Sequence, residues 1–500
     1  MLEVITNINN FVNNIVWGWP ALILLAAVGV LITFITKFFQ VSHIGHWMKN
    51  TIGSIFSDKK VLGHTEDKSI SQFQSLCTAL AGTVGTGNIV GVSGAIITGG
   101  PGAVFWMWII AFFGMMTKFA ENVLGIFYRK KNQSGEWSGG AMYYLQDGLG
   151  GYKNCKTLGR VLAVLFAAFC LIASFGIGNM TPVHSISENM NAVFGVPMWV
   201  TGIVVLALTA LVTLGGLQRV ANVTEKIVPF MVIFYIIGSI IIFFTNISRI
   251  GEVFAAIFQG AFAMKAAGGG IMGYGIKLAI EQGMKRGVFS NEAGLGSSVM
   301  VHSNANVHEP VRQGMWGIFE VFADTIIVCS LTAISVLSSG LVDLSTGVTQ
   351  EAYEGLTLSK ANIVSTVFTM HFGKLGGAFV AIAVMLFAYS TILGWSHYGK
   401  KSCEFLFGEK GAFIYSIAFV LVVYGGAVMG DNLSWQLADT FNGMMMLPNL
   451  IGVIALSPLV YKITKNYVDR RIRKKNVKPM LSNWEDIQKE AEKAVEQGEM

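Results

Sequence analysis

Two short stretches of this 500-residue chain suit contacts that a regular apolar helix cannot make. One reads Ala81-Gly82-Thr83-Val84-Gly85-Thr86-Gly87-Asn88-Ile89-Val90-Gly91; the other reads Lys265-Ala266-Ala267-Gly268-Gly269-Gly270-Ile271-Met272-Gly273-Tyr274-Gly275. Glycine inside a helix costs about 1 kcal/mol relative to alanine, so such clusters need a reason. Close helix packing through small residues is one reason. The other is an unwound stretch whose free amides and carbonyls line a polar cavity, since lipid cannot satisfy them. Amides at the open end of a half-helix receive an anionic group, and released carbonyls coordinate a cation. An amino acid accompanied by Na⁺ is a ligand pair of that chemistry.

Ionisable residues inside apolar segments are the next chemical signal. Lys118 and Glu121 stand at i,i+3, which suggests a fixed pair or part of an inner gate. Glu320 and Asp324 share a helix face at i,i+4, so at least one of them needs a basic partner, water or a proton. Asn291 and Glu292 follow Lys285 and Arg286, a pattern that reads as a gate element at the cytoplasmic mouth. Five scattered cysteines and eight histidines in loops or span ends form neither a disulfide framework nor a metal site. A GxxxxGK[ST] loop is missing, which argues against an ATP-driven pump, and the residues of an embedded enzyme do not converge.

The elements that position these residues are membrane helices. AVILMFWYC residues make up 53%, charged residues 13% and the mean hydropathy is +0.57; soluble domains carry roughly 25% charge. A chain this apolar cannot cover itself with polar side chains in water. Apolar runs long enough for a core of about 30 Å lie at 19–39, 70–98, 103–128, 161–181, 197–213, 227–245, 258–284, 313–338, 376–396, 412–430 and 433–461. That predicts an all-α polytopic membrane protein of about eleven spans. One set of alternate connections holds 28 Lys and Arg, the other only four (Arg249, Lys265, Lys360, Lys374). The asymmetry places the N-terminus outside and the C-terminus in the cytoplasm. The first eighteen residues hold no Lys or Arg and so lack the basic segment of a cleavable signal peptide. The basic run Arg470, Arg471, Arg473, Lys474 and Lys475 fits anionic lipid better than nucleic acid.

With the first helix set aside, ten remain, and the glycine clusters open helices 2–6 and 7–11. Paired interruptions in two five-helix halves point to inverted repeats with a site at the midplane. The organisation expected is one transporter domain over 1–465, with an extra helix at 19–39, a first repeat at 69–245 and a second at 258–461. A basic, then mixed-charge tail follows at 466–500.

The chain resembles the alanine or glycine:cation symporter family, also called sodium:alanine symporters. The resemblance rests on Gly85-Thr86-Gly87-Asn88-Ile89, Gly99-Gly100-Pro101-Gly102-Ala103 and Thr117-Lys118-Phe119-Ala120-Glu121. It continues through Arg286-Gly287-Val288-Phe289-Ser290-Asn291-Glu292-Ala293-Gly294 and Phe387-Ala388-Tyr389-Ser390-Thr391-Ile392-Leu393-Gly394-Trp395. It implies a LeuT-type 5+5 core preceded by one extra helix, and a symporter of the plasma membrane that imports a small neutral amino acid with Na⁺. No organic cofactor and no enzymatic activity are implied. Carried over, Thr86, Gly87 and Asn88 belong to the substrate site, where backbone receives the carboxylate. Trp395 matches the aromatic that closes the side-chain pocket; beside that match, Phe175 and Met272 read as further apolar walls and the carbonyls around Gly269 and Gly270 as acceptors for the amino group. Ser390 and Thr391, with carbonyls near Ala81 and Val84, hold Na⁺, a hard cation that prefers oxygen.

One departure stands out. After Phe175-Gly176-Ile177-Gly178-Asn179-Met180 the family has Gln two residues on and Asn four on; here Pro182 and His184 stand there. Proline supplies neither an amide side chain nor a backbone N–H. The fourth span is therefore expected to end at 181, with His184 in an external loop, and selectivity to reach serine, threonine or glutamine. Proton coupling and, from another class, a cation channel are the alternatives, although a channel generally needs an oligomeric ring and this chain reads as a functional monomer.

Overall fold

Apolar length decides the architecture of this chain. The computed structural model describes residues 2–63, 68–263, 272–429 and 432–496. Among them, seven helices are long and apolar enough to cross a bilayer: Thr6–Ile35, Gly102–Tyr128, Lys156–Phe194, Gly216–Thr245, Pro310–Ser338, Lys374–Val428 and Gln436–Ile472. An eighth span is broken: Gln72–Thr83 and Thr86–Gly99 meet at an angle of 60°. Met198–Thr213 is apolar but shorter. Lys374–Val428 has 55 residues, about 80 Å at 1.5 Å per residue. It holds two of the expected spans and kinks between them at Gly408, where φ is 75°. Strands among the described residues are confined to two small hairpins, Lys130–Lys131 with Trp137–Ser138 and Ala352–Tyr353 with Leu356–Thr357.

Three expectations need correction. The fourth span does not stop at 181. It runs on as Thr181–Phe194 after a wide π-turn at Gly176–Met180, and Pro182 falls in the first turn after it, where a missing N–H is tolerated. His184 is consequently a half-buried helix residue and not a loop residue. Second, Lys285 is not at the basic mouth. It pairs with Asp439 at 3.5 Å and lies over the Trp17 ring, at the end of the bundle that carries the sparse loops. Moving Lys285 and Arg286 turns the 28-to-4 split into 26-to-6, so the asymmetry survives. Third, the basic run near the C-terminus is engaged by the protein itself. Both Arg470 Nη atoms donate to Glu309 at 2.8 Å, and Arg471 Nε does so at 3.0 Å. Arg473 and Lys475 pair with Asp469, each at 3.2 Å.

In lipid, helices gain little from apolar burial against one another, so close backbone approach matters more. A β-carbon on Gly102 would lie 2.2 Å from the Gly260 carbonyl carbon. One on Gly394 would lie 2.8 Å from the Gly82 nitrogen and 3.1 Å from the Thr78 oxygen, so the broken span and the Lys374–Val428 helix touch through backbone. Gly394→Val forces these two helices apart, an overpacking that costs about 1–3 kcal/mol. The expected result is a lower unfolding temperature in detergent; an unchanged one removes this contact from the account.

Candidate substrate and cation site

The broken span presents its backbone where it fails as a helix. Helix Gln72–Thr83 starts from a capping box, with the Ser71 hydroxyl accepting from Gln74 N–H and the Gln74 side chain accepting from Ser71 N–H. It ends at Val84, whose ψ of 92° is extended. A wide turn at Gly87–Gly91 restarts it. Asn88 locks that turn: its Oδ1 accepts from Gly85 N–H at 2.8 Å and its Nδ2 donates to Asp324 at 2.6 Å. Ser290 and Thr325 hydroxyls each donate to the other Asp324 oxygen at 2.8 Å. Asn88 is thus fully buried and committed to shaping the turn, while Thr86 and Gly87 are half-buried and open to one side. A β-carbon on Gly87 would come within 3.5 Å of Phe289 and 3.8 Å of Ser290 Cα.

The hydroxyl pair meets this break. Ser390 Oγ lies 3.5 Å from the Ala81 carbonyl, and a β-carbon on Gly85 would sit 2.6 Å from Thr391 Oγ1. Each hydroxyl donates to the Phe387 carbonyl of its own preceding turn at 2.9 Å. Those bonds use the protons and leave the oxygen lone pairs free to accept a cation. Val84 is the adjacent buried residue.

The expected second interruption falls largely outside the described residues, and a further break follows it. Gly269 and Gly270 lie outside the described residues, and Met272 opens the helix Met272–Asn291. That helix stops at Asn291, and residues 292–298 are non-helical yet wholly buried. Asn291 and Glu292 therefore stand inside the bundle and not at a cytoplasmic mouth. Asn291 Oδ1 accepts from Ala293 N–H at 2.9 Å and its Nδ2 donates to Thr325 at 3.0 Å. Glu292 holds a left-handed backbone (φ 54°) and accepts from Trp395 Nε1 at 3.1 Å and Ser297 Oγ at 2.5 Å.

Neighbouring spans serve this segment. Lys118 Nζ donates to Ser298 Oγ at 2.8 Å and pairs with Glu320 at 3.3 Å, so its partner is Glu320 and not Glu121. Glu320 also meets His302 Nε2 at 3.0 Å. Glu121 accepts from Asn449 Nδ2, which also donates to the Gly294 carbonyl at 2.8 Å. Trp395 is fully buried, edge-on to Tyr398 and pressed against Gly178, where a β-carbon would lie 2.3 Å from its own. Phe175, one turn before Gly178, packs on Tyr415 and Phe419 at ring distances of 5.2 and 6.1 Å. Neither Asp324 nor the Trp395–Glu292 contact was anticipated as part of the site. The i,i+4 spacing of Glu320 and Asp324 was the available signal.

A span broken at its middle, a second buried break beside it and hydroxyls facing the first define a broken-helix transporter of the LeuT type. The structure matches that of MhsT in complex with L-phenylalanine with a TM-score of 0.52 at 13% identity, covering 80% of this chain and 99% of that one. A sequence profile of the sodium:alanine symporter family matches residues 2–482. The chain belongs to that family and is a multi-pass membrane transporter. It is 43% identical over 470 residues to the sodium/alanine symporter AgcS of Methanococcus maripaludis, spanning 94% of this chain and 98% of the relative. It is 33% identical over 493 residues to the probable sodium/glutamine symporter GlnT of Bacillus subtilis, spanning 98% and 96%.

Asn88→Leu leaves Asp324 short of one donor and Gly85 N–H without its acceptor, each at about 1–3 kcal/mol. Reduced thermal stability is expected, together with loss of substrate-induced stabilisation. A variant as stable as the wild type would mean that the turn is held by other contacts.

Proposed function

We propose that this protein imports a small neutral amino acid together with Na⁺ across the plasma membrane by alternating access. The observation that carries the reading is the meeting of the two buried breaks. Gly87 of the first packs on Ser290, just before the second, and Ser390 and Thr391 lie against Ala81 and Gly85. The open Thr86–Gly87 amides suit a carboxylate, and the hydroxyl and carbonyl oxygens suit Na⁺. Trp395, tied to Glu292, supplies the wall that separates pocket from buried network. The 26-to-6 distribution of Lys and Arg supports a cytoplasmic basic end and an external N-terminus.

The cation assignment is tested at the hydroxyls. Thr391→Val keeps shape and removes one oxygen, so the Na⁺ concentration for half-maximal uptake in proteoliposomes should rise roughly tenfold or more, the worth of a bond to a charged group. Ser390→Ala should shift it in the same direction. Unchanged Na⁺ dependence in both variants places the cation elsewhere.

Selectivity follows from Pro182, buried in the continued fourth span beside Val183 and Met180. A side chain that cannot hydrogen-bond cannot reject a substrate by being left unpaired. The preference therefore extends from alanine and glycine to serine, threonine or glutamine, in keeping with a relative named as a glutamine symporter. Competition by the twenty amino acids against bound L-alanine measures this; displacement by alanine and glycine alone overturns it.

A further inference from the structure

Helix Met272–Asn291 carries one charge that the site described above does not use. Among the described residues, no hydrogen bond and no ion pair reaches Arg286, and its Nε is buried without a partner. Its guanidinium carbon lies 5.8 Å from the Phe289 ring centroid, which orients the fork without neutralising it. The nearby carboxylates do not serve it. Asp439 is held by Lys285 at 3.5 Å and by Asn13 at 3.0 Å. Glu281, five residues back on the same helix, makes no ion pair with it.

Position adds the second observation. A β-carbon on Gly91 would be 4.0 Å from Arg286 Cδ, and one on Gly87 would be 3.5 Å from Phe289. Thr86, Gly87, Val90 and Gly91 are the half-buried residues of an otherwise buried stretch, and Arg286 and Phe289, also half-buried, stand against it. The two faces approach each other down to the end that holds the Thr86–Gly87 amides. Arg286 stands one turn above that end, about 6 Å along the helix. Further out, the exposed Lys360 stem passes 3.7 Å from the β-carbon position of Gly94.

An unpaired guanidinium that has given up part of its hydration is costly until an anion returns the lost bonds. Its planar fork matches a carboxylate in two parallel hydrogen bonds. From this we infer that Arg286 is a docking site for the carboxylate of the incoming amino acid, occupied before that group passes to the Thr86–Gly87 amides. The inference rests on the amino-acid symport reading and adds an entry step to it.

Na⁺-driven uptake by the full-length protein in proteoliposomes tests it, with L-alanine and L-glutamine as labelled probes and L-alanine methyl ester as a competitor without the carboxylate. Arg286→Gln should raise KM for both acids roughly tenfold or more, with kcat within about twofold. Arg286→Lys, which keeps the charge and loses the fork, should recover part of that loss. The ester should compete equally with uptake by wild type and by Arg286→Gln. Size-exclusion profiles and Na⁺-dependent thermal shifts check that both variants are folded. Unchanged KM in a folded Arg286→Gln protein, or an equal loss for acid and ester, overturns the assignment of Arg286 alone. Absence of Na⁺-dependent uptake of both probes by the wild-type protein overturns the symport reading and this inference with it.

Discussion

A non-helical segment buried inside a bundle of apolar helices has to find a partner for every backbone group it exposes, and the rest of this molecule is arranged around that demand. Residues 292–298 are such a segment. Asn449 from the last span takes the Gly294 carbonyl, Asn291 takes the Ala293 amide, and Lys118 from the third span takes the Ser298 hydroxyl. Each partner is polar and buried in turn, so each needs its own. Lys118 requires Glu320, Glu320 engages His302, and Asn449 Oδ1 accepts from the Tyr144 hydroxyl. A buried ion pair adds little net stability once desolvation is counted. What the Lys118–Glu320 pair supplies is position, because losing either partner strands the other.

The first break is served differently. Asn88 and Asp324 close it with side chains only, and glycine lets other helices come close enough to reach it. Gly394 against Gly82 brings the Lys374–Val428 helix onto backbone, and that contact sets Ser390 beside the Ala81 carbonyl. Wide turns recur at the three places that touch the site: Gly87–Gly91, Gly176–Met180 and Phe322–Cys329. A π-turn rotates the following residues and frees a carbonyl, so it re-aims a side chain without ending a span. Asp324 and Gly178 both owe their approach to such turns, Asp324 to Asn88 and Gly178 to Trp395.

The span pattern, the break at Val84 and the hydroxyl pair were legible because each signal is local: apolar length, clustered glycine, adjacent hydroxyls on an apolar helix. The end of the seventh span was misread for a physical reason. Lys285 and Arg286 look like the end of a membrane segment, since charge ordinarily marks the interface. Here Asp439, 154 residues later, neutralises Lys285 within the bundle, and the helix continues past both. The glycines 268–270 lie outside the described residues, and Gly294 and Gly296, at φ of 90° and 78°, turn the chain in a break that was not expected. Pro182 misled in the opposite direction, because no sequence signal announces the π-turn that admits it. Lys118 and Glu121 have helical spacing suited to one another, yet each side chain points to a different span.

The basic end is tied differently. There Glu309, itself buried, holds Arg470 and the partly exposed Arg471. The tail is part of that layer: Asn483 N–H donates to the Phe127 carbonyl at 2.9 Å, and helix Glu485–Glu496 follows it. Lys118, Glu320, Glu292 and Trp395 are all buried, and Lys118 and Glu320 cannot separate without leaving a buried charge unpaired. Trp395 joins the 292–298 segment at Glu292, and Lys118 and Glu320 join it six residues on at Ser298. The groups that satisfy the buried break are therefore the same groups that tie Trp395 to the neighbouring spans.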